Sequence, residues 1–277
     1  MNSFQDWTIV VFWTLVGLIF GSFVNVIVTR VPEGRSIVHP PSRCPHCLAP
    51  IGFWENIPII SYFFLGGRCR HCKEPIGWRY PATEAGVAVA FGVVVWRLWV
   101  TANRPAAAIL VMAATVVFVS VAIIDAKTKR IPRKLVYWGL VMVIPLSVVV
   151  ALYEARPAAL IIALASSMGY GIALFAIHSI DPRWMGFGDV RYAFFLGWVL
   201  GYFGWWYPLA GFMLALVIGS VVGLTLVAVG KSRLGKTIPF GPFLSLGAYA
   251  VLLWGCELAG LYLHLMGLPL AGCRTLP

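Results

Sequence analysis

The sequence predicts an all-α polytopic membrane protein with a small insertion outside the membrane. Of its 277 residues, 60% are hydrophobic and only 11% are charged, which is too apolar for a soluble domain of this size. About eight stretches approach or exceed the length needed to cross a bilayer. They are residues 8–29, 83–100, 106–124, 135–153, 158–180, 190–204, 206–230 and 243–264. Residues 30–82 differ, because they lack a long apolar run and are rich in Pro, Gly, Cys and Arg.

The first and sixth apolar stretches need separate justification. No basic residue precedes the run 7–29, and its length suits a span, so we expect a retained helix rather than a cleavable signal peptide. The sixth stretch, residues 190–204, is short, and we expect it to be tilted or partly shielded by protein. The aromatic turn at residues 202–208 separates it from the seventh and suits a membrane–water interface.

The distribution of basic residues predicts the orientation. The loops 30–82, 125–134, 181–191 and 231–242 hold 17 of the 21 Lys and Arg residues. The other side keeps only Arg97, Arg104, Arg156 and Arg274. The positive-inside rule therefore places the N-terminus outside and the four basic loops in the cytoplasm. It also accounts for the net charge of +11 without nucleic acid, since no basic stripe carries interleaved stacking residues outside the apolar stretches.

Two C-x-x-C pairs in the insertion predict a metal site. They are Cys44-Pro45-His46-Cys47 and Cys69-Arg70-His71-Cys72. Each pair presents two thiolates on one tight turn, and two pairs complete the tetrahedron of a four-cysteine zinc ribbon. Such a closed site is structural, and a segment of about 50 residues without an apolar core needs a staple of this kind. Two disulfides or a redox pair are the alternatives, which a reducing cytoplasm disfavours.

Two aspartates at the ends of apolar stretches are candidate catalytic residues. Asp125 ends the third stretch, and Asp189 follows the turn Met185-Gly186-Phe187-Gly188, whose glycines permit unusual backbone angles and close approach. Carboxylates at a membrane boundary are costly, and two that share a proton can activate water against a peptide bond. The alternative for Asp125 alone is an interfacial residue paired with its basic neighbours. Asp181, before Pro182, is a weaker candidate that caps or ends a local turn.

Four further features lie near these motifs. Residues 21–26, Gly-Ser-Phe-Val-Asn-Val, favour close helix packing or interhelical hydrogen bonds. Residues 238–243, Ile-Pro-Phe-Gly-Pro-Phe, form a rigid entry loop that either lines the site or is a simple connection. Glu84 opens the second stretch, where a helix charge partner is favoured over catalysis. Glu257, deep in the last stretch, has no evident role in the sequence.

Together these motifs resemble the type IV prepilin peptidases, membrane aspartic proteases of the GxGD type. The resemblance covers almost the whole chain, and its specificity comes from the order and spacing of several motifs. They are residues 21–26, the two cysteine pairs, residues 56–61, Arg79-Tyr80-Pro81 with Glu84, Asp125 to Pro132, residues 185–189 and residues 238–243.

The resemblance implies two activities at the bacterial inner membrane. The family cleaves the basic leader of type IV prepilins, or of type II secretion pseudopilins, after a glycine, and many members methylate the new N-terminus with S-adenosylmethionine. By motif match, Asp125 and Asp189 are the catalytic pair, and a complete cysteine insertion is associated with methylating members. The implied division is a first transmembrane helix (1–29), a zinc module (30–82) and a membrane peptidase domain (83–277). The alternatives are a peptidase without methylation and a proton-coupled transporter, although no clear internal repeat supports the latter.

Overall fold

The computed structural model describes residues 3–230 and 238–265, and over these residues the protein is helical without a β-strand. Two isolated β-bridges, Arg43–Pro50 and Arg68–Pro75, occur in the insertion. The helices are α1 (Ser3–Arg30), α2 (Ile60–Phe64), α3 (Arg79–Val94), α4 (Pro105–Thr128), α5 (Arg133–Tyr153), α6 (Ala158–Ile180), α7 (Phe187–Phe203), α8 (Tyr207–Ala228) and α9 (Gly241–Leu265). A π-helical segment, Val95–Thr101, continues α3.

The predicted fold class is confirmed. Seven helices in the described ranges are long and apolar enough to cross a membrane, and they match seven of the predicted spans. The predicted sixth span is α7, whose 17 residues fall below the roughly 20 needed to cross a bilayer upright. Eleven of its residues are buried, so it is largely shielded by protein as expected. Four basic residues used to orient the chain, Lys231, Arg233, Lys236 and Arg274, lie outside the described residues, as does Cys273.

The chain forms two compact units, Met1–Ser120 and Val121–Pro277, and the boundary falls within α4. In the first unit, α1 packs closely against α3. A Cβ atom added to Gly17 would lie 2.7 Å from the Cα of Ala88, and one added to Gly21 would lie 2.6 Å from the Cα of Glu84. The helices therefore touch backbone to backbone, as small residues four apart allow. This confirms the close packing predicted for residues 21–26.

In the second unit, α7 packs along α6, and α8 packs along α9. A Cβ atom added to Gly197 would lie 2.8 Å from the Cα of Ser167, so α6 and α7 also meet closely. The Ser167 hydroxyl donates a hydrogen bond of 2.8 Å to the carbonyl of Phe194 across the same contact. The enclosed position of α7 determines where its first turn, which contains Asp189, is held.

Candidate active site and metal centre

Asp125 lies on the last turns of α4 in the second unit and is 5% exposed. Beyond it the helix ends at Thr128, and the chain turns at Lys129, which has a positive φ of 53°. The turn returns the chain inward, because Ile131 is 7% exposed. An acid in this position is shielded from bulk water yet lies beside a helix end whose residues 126–130 are exposed.

Asp189 lies in the first turn of α7, three residues after the N-cap residue Gly186. The free N–H groups and the dipole of a helix N-terminus favour a carboxylate there. Asp189 as a residue is partly exposed, whereas Asp125 is buried.

Three segments far apart in the sequence meet at these acids. The backbone N–H of Gly241, the first residue of α9, donates a hydrogen bond of 2.9 Å to Oδ2 of Asp125. A Cβ atom added to Gly188 would lie 3.2 Å from the Cβ of Ile131, so the glycine turn packs against the segment after Asp125. The carboxylates of Asp125 and Asp189 interact electrostatically. The structure thus brings together the two predicted acids and the predicted entry loop at residues 238–243.

Two buried hydroxyl groups extend the hydrogen bonds around Asp125. The Ser245 hydroxyl donates a hydrogen bond of 2.9 Å to the carbonyl of Gly241, and the Tyr192 hydroxyl oxygen lies 2.8 Å from Ser245 Oγ. Because the single proton of Ser245 goes to Gly241, Tyr192 is the donor to Ser245. Neither residue was predicted from the sequence, since a lone Tyr or Ser in an apolar stretch carries no signal.

His178 on α6 fixes the glycine turn from the other side. Its Nδ1 lies 2.7 Å from the carbonyl oxygen of Met185, a contact that requires Nδ1 to carry the proton. Its ring also lies 5.5 Å from that of Phe187, measured between centroids. This residue was not predicted either, because nothing in the sequence pattern links position 178 to the turn.

The weaker candidate Asp181 has a local role. Its Oδ1 accepts a hydrogen bond of 2.9 Å from the backbone N–H of Arg183, within the turn that follows α6. This is the turn-capping role expected from the sequence. Gly186 is exposed, and a Cβ atom there would lie 3.0 Å from Oδ2 of Asp189, so the turn presses closely on that carboxylate.

The four cysteines of the insertion converge on one point in the first unit. The Sγ atoms of Cys44, Cys47, Cys69 and Cys72 all lie within 4.8 Å of one another, and those of Cys44 and Cys72 are 3.8 Å apart. Four thiolates at the usual Zn–S distance of about 2.3 Å stand about 3.8 Å apart in a tetrahedron. The thiols are not joined in disulfides. The arrangement therefore fits a four-coordinate zinc ion.

Each cysteine pair is built in the same way, a repeat that the sequence analysis missed. The N–H of Cys44 donates to the carbonyl of Ala49 at 2.9 Å, and the N–H of Cys69 donates to that of Glu74 at 2.9 Å. Residues 44–52 and 69–77 share the pattern C-x-H-C-x-x-P-I-G. The backbone N–H groups of Cys47 and His46 lower the pKa of the Cys44 thiol to about 7, which favours the thiolate that binds metal.

Glu84 differs from its expected role as a charge partner of the helix N-terminus. It lies in the second turn of α3, whose first turn contains no acidic residue. Its Oε2 atom instead accepts a hydrogen bond of 2.7 Å from the backbone N–H of Ile59 in the insertion. This contact could not be predicted from the sequence, because the two residues are 25 positions apart.

Comparison with known proteins matches both parts of the chain. Residues 15–98 match the profile of the bacterial peptidase A24 N-terminal domain, and residues 105–228 match that of the type IV leader peptidase family. The chain is 30% identical to a prepilin leader peptidase/N-methyltransferase of Pseudomonas aeruginosa, over 91% of this chain and 93% of that protein. It is 31% identical to one of Aeromonas hydrophila, over 90% and 92% of the two chains. No solved structure matches this chain.

Proposed function

This chain belongs to the type IV leader peptidase family, and from that membership we propose that it removes the leader of type IV prepilins or pseudopilins and methylates the new N-terminus. It is thus a membrane peptidase with N-methyltransferase activity. The observation that carries the peptidase is the meeting of Asp125 and Asp189 beside the Gly241 amide.

Peptide hydrolysis follows from two carboxylates that hold one proton between them. The ionised member takes a proton from water as the oxygen attacks the scissile carbonyl, and the protonated member donates its proton to the carbonyl oxygen. The tetrahedral intermediate then collapses: the C–N bond breaks, the acid that took the proton from water gives it to the leaving amine, and the other acid takes its proton back as the new carboxyl group forms. The proton then belongs to the pair rather than to either acid. The Gly241 N–H stabilises a negative charge on Asp125 and so favours Asp125 as the ionised member of the pair.

The substrate class fits the position of the acids at a membrane boundary. A prepilin is a membrane helix with a short basic leader, and its cleavage site emerges where the helix leaves the bilayer. A glycine before the cut adopts the extended backbone that a narrow cleft requires.

Methyl transfer belongs to the first unit in this proposal. Both acids and the contacts that hold them lie in Val121–Pro277, which leaves Met1–Ser120, with its cysteine module, for the second activity. S-adenosylmethionine acts as a cosubstrate. The free N-terminal amine attacks the sulfonium methyl carbon, the N–C bond forms as the C–S bond breaks, and sulfur leaves with the electron pair while the amine releases a proton to water.

Zinc holds the module together in this proposal, through Cys44, Cys47, Cys69 and Cys72. All four positions of the tetrahedron are filled by sulfur, so the ion supplies structure and leaves no open coordination position for catalysis. In this proposal the module, residues 30–82, lies between the first transmembrane helix (1–29) and the remaining membrane segments (83–277), of which residues 83–120 belong to the first unit.

The proposed orientation places the N-terminus outside the inner membrane and both acids at the cytoplasmic face. Cysteine labelling in intact cells tests it. Asn103→Cys should react with an impermeant maleimide, and Lys127→Cys should react only after the cells are opened. Labelling of Lys127→Cys from outside would contradict the orientation.

The mass of a co-expressed prepilin tests both activities at once. With this protein the pilin should lose the mass of its leader and gain that of one methyl group, and without it neither change should occur. A pilin that stays full-length would refute the peptidase, and a cleaved but unmethylated pilin would refute the methyltransferase.

A further inference from the structure

A buried carboxylate joins the cysteine module to the membrane helices of the first unit. Glu84 on α3 is 9% exposed, and its Oε2 accepts a hydrogen bond of 2.7 Å from the backbone N–H of Ile59. Burial of a charged group inside a membrane protein is costly, so such a residue is a functional candidate by default. Asp125 and Asp189 carry the proposed hydrolysis, which leaves Glu84 without a part in that reaction.

The group that Glu84 binds lies in a strained turn. Ile59 has φ 61° and ψ −50°, and the N–H of Ile60 donates to the carbonyl of Pro58 at 2.5 Å. These are the features of a γ-turn with positive φ, a conformation that is rare and strained. A β-branched residue is an outlier at positive φ, and such a conformation persists only where its surroundings impose it. The hydrogen bond from Ile59 to Glu84 is one such restraint.

Helix α1 fixes Glu84 in turn. A Cβ atom added to Gly21 would lie 2.6 Å from the Cα of Glu84, so α1 sets the position of its backbone. The side chains of Ser22 and Asn25 on α1 approach its carboxylate. Asn25 Nδ2 also donates to the carbonyl of Tyr80 at 3.1 Å, in the first turn of α3. The position of the turn at Ile59 is thereby tied to two membrane helices.

We infer that Glu84 is a positioning residue for methyl transfer: through Ile59 it fixes the four-cysteine module on α1 and α3. This inference rests on the proposed assignment of methyl transfer to the first unit. Residues 21–26 and residues 56–61 then have the same role, because both segments contact Glu84. Between Val31 and Tyr80, Cys44 is the single buried residue, so the module contributes little packing of its own to this attachment.

Two substitutions of Glu84 separate positioning from general stability. Glu84→Gln keeps the side-chain volume and an acceptor for Ile59 but removes the charge, and Glu84→Ala removes the acceptor. Loss of a hydrogen bond to a charged group lowers the equilibrium constant that depends on it by about tenfold to a hundredfold. We therefore expect methylation to fall by about tenfold or more in Glu84→Ala and by less in Glu84→Gln. Leader cleavage should remain near wild type in both.

A rescue variant tests the strained turn directly. Glycine adopts positive φ without steric cost, so Ile59→Gly needs no partner to hold the turn. In the Glu84→Ala background, Ile59→Gly should restore part of the methylation, an outcome that a lost packing contact does not explain. Glu33→Gln is the matched control, because it removes an exposed carboxylate from the same module, outside both cysteine turns, and should leave both activities unchanged.

The readouts are the mass of the co-expressed pilin, the zinc content and the amount of protein in the membrane. Wild-type methylation in Glu84→Ala overturns this inference while leaving the proposed function intact. Parallel loss of cleavage and methylation in both Glu84 variants also overturns it, because it shows a general structural role. A wild-type protein that cleaves but never methylates refutes the proposed methyl transfer instead, and this inference with it.

Discussion

The four-cysteine module and the aspartate site are held together in opposite ways. The module depends on neighbours in sequence, since its cysteines lie within residues 44–72 and each pair closes on its own backbone hydrogen bonds. The aspartate site depends on residues far apart, since 116 positions separate Asp125 from the Gly241 N–H that binds it. The cysteine site is therefore determined by the local spacing of its residues. The aspartate site forms only when α4, α7 and α9 are in place.

The two regions also differ in what excludes water. Cys44 is the only buried residue between Val31 and Tyr80, whereas α7, which carries Asp189, has eleven buried residues. A module without a core depends on the proposed zinc cross-link between its cysteines, while the aspartate site has a rigid helical frame. Variants should therefore separate the regions: changes at the cysteines should affect the module alone, and changes at the acids should affect hydrolysis alone.

The largest expected effect is at the acids. Asp125→Asn and Asp189→Asn should each lower leader cleavage by at least about a thousandfold, because asparagine neither ionises nor takes a proton from water. The pair acts as a unit, so the double variant should resemble each single one. The measurement is the rate of prepilin cleavage by purified protein with normal zinc content.

These variants also test the separation of the two regions. Each should still methylate a pilin that is supplied already cleaved, because the second activity is assigned to the other unit. Cleavage at a near wild-type rate in either single variant would remove that acid from the mechanism. Asp181, eight residues before Asp189, would then be the first replacement to examine.

The next effect in size is at the metal. Purified protein should contain about one zinc ion per chain, and Cys44→Ser or a strong chelator should remove it. Methylation should then fail and the segment 30–82 should become sensitive to protease, while cleavage by the acids persists. Cys256→Ser, on α9 and outside the cluster, is the control. Zinc-free wild-type protein with full methylation would contradict the prediction.

The difference between the regions explains what the sequence revealed. The helices followed from apolar runs, and the four cysteines from their spacing, because both signals are local. The sequence also singled out Asp125 and Asp189, although their catalytic role stays a prediction. The short α7 was correctly expected to need shielding by protein.

Contacts between residues far apart in the sequence could not be predicted, because the signals in a sequence are local. Nothing in the pattern at residue 241 shows that its N–H meets Asp125, and nothing at Ile59 shows a partner at Glu84. His178 has no sequence relation to Met185 beyond proximity. The entry loop at residues 238–243 was left open between a site wall and a simple connection, and in the structure its Gly241 N–H contacts Asp125.

A smaller effect is expected where α9 meets Asp125. A Cβ atom added to Gly241 would lie 2.8 Å from Asp125 Oδ2, too close for the present hydrogen bond to survive unchanged. Gly241→Ala should therefore displace the carboxylate and lower kcat for cleavage by about a hundredfold, with methylation of a cleaved pilin unaffected. Gly169→Ala on α6 is the control, because a Cβ atom there meets nothing within 4 Å. Equal kcat in the two variants would contradict this role for Gly241.

The smallest effect is expected one step further from the acid, at Tyr192. Its hydroxyl donates to Ser245, which in turn donates to the carbonyl of the residue that binds Asp125. Tyr192→Phe removes this support and leaves the Gly241 N–H in place, so kcat should fall only about threefold to tenfold, with KM unchanged. Tyr202→Phe is the matched control, another buried tyrosine on α7, whose hydroxyl lies 3.5 Å from Glu154. If the two variants lose activity equally, the loss reflects the general packing of α7, and the chain of hydroxyl groups has no specific part in holding Asp125.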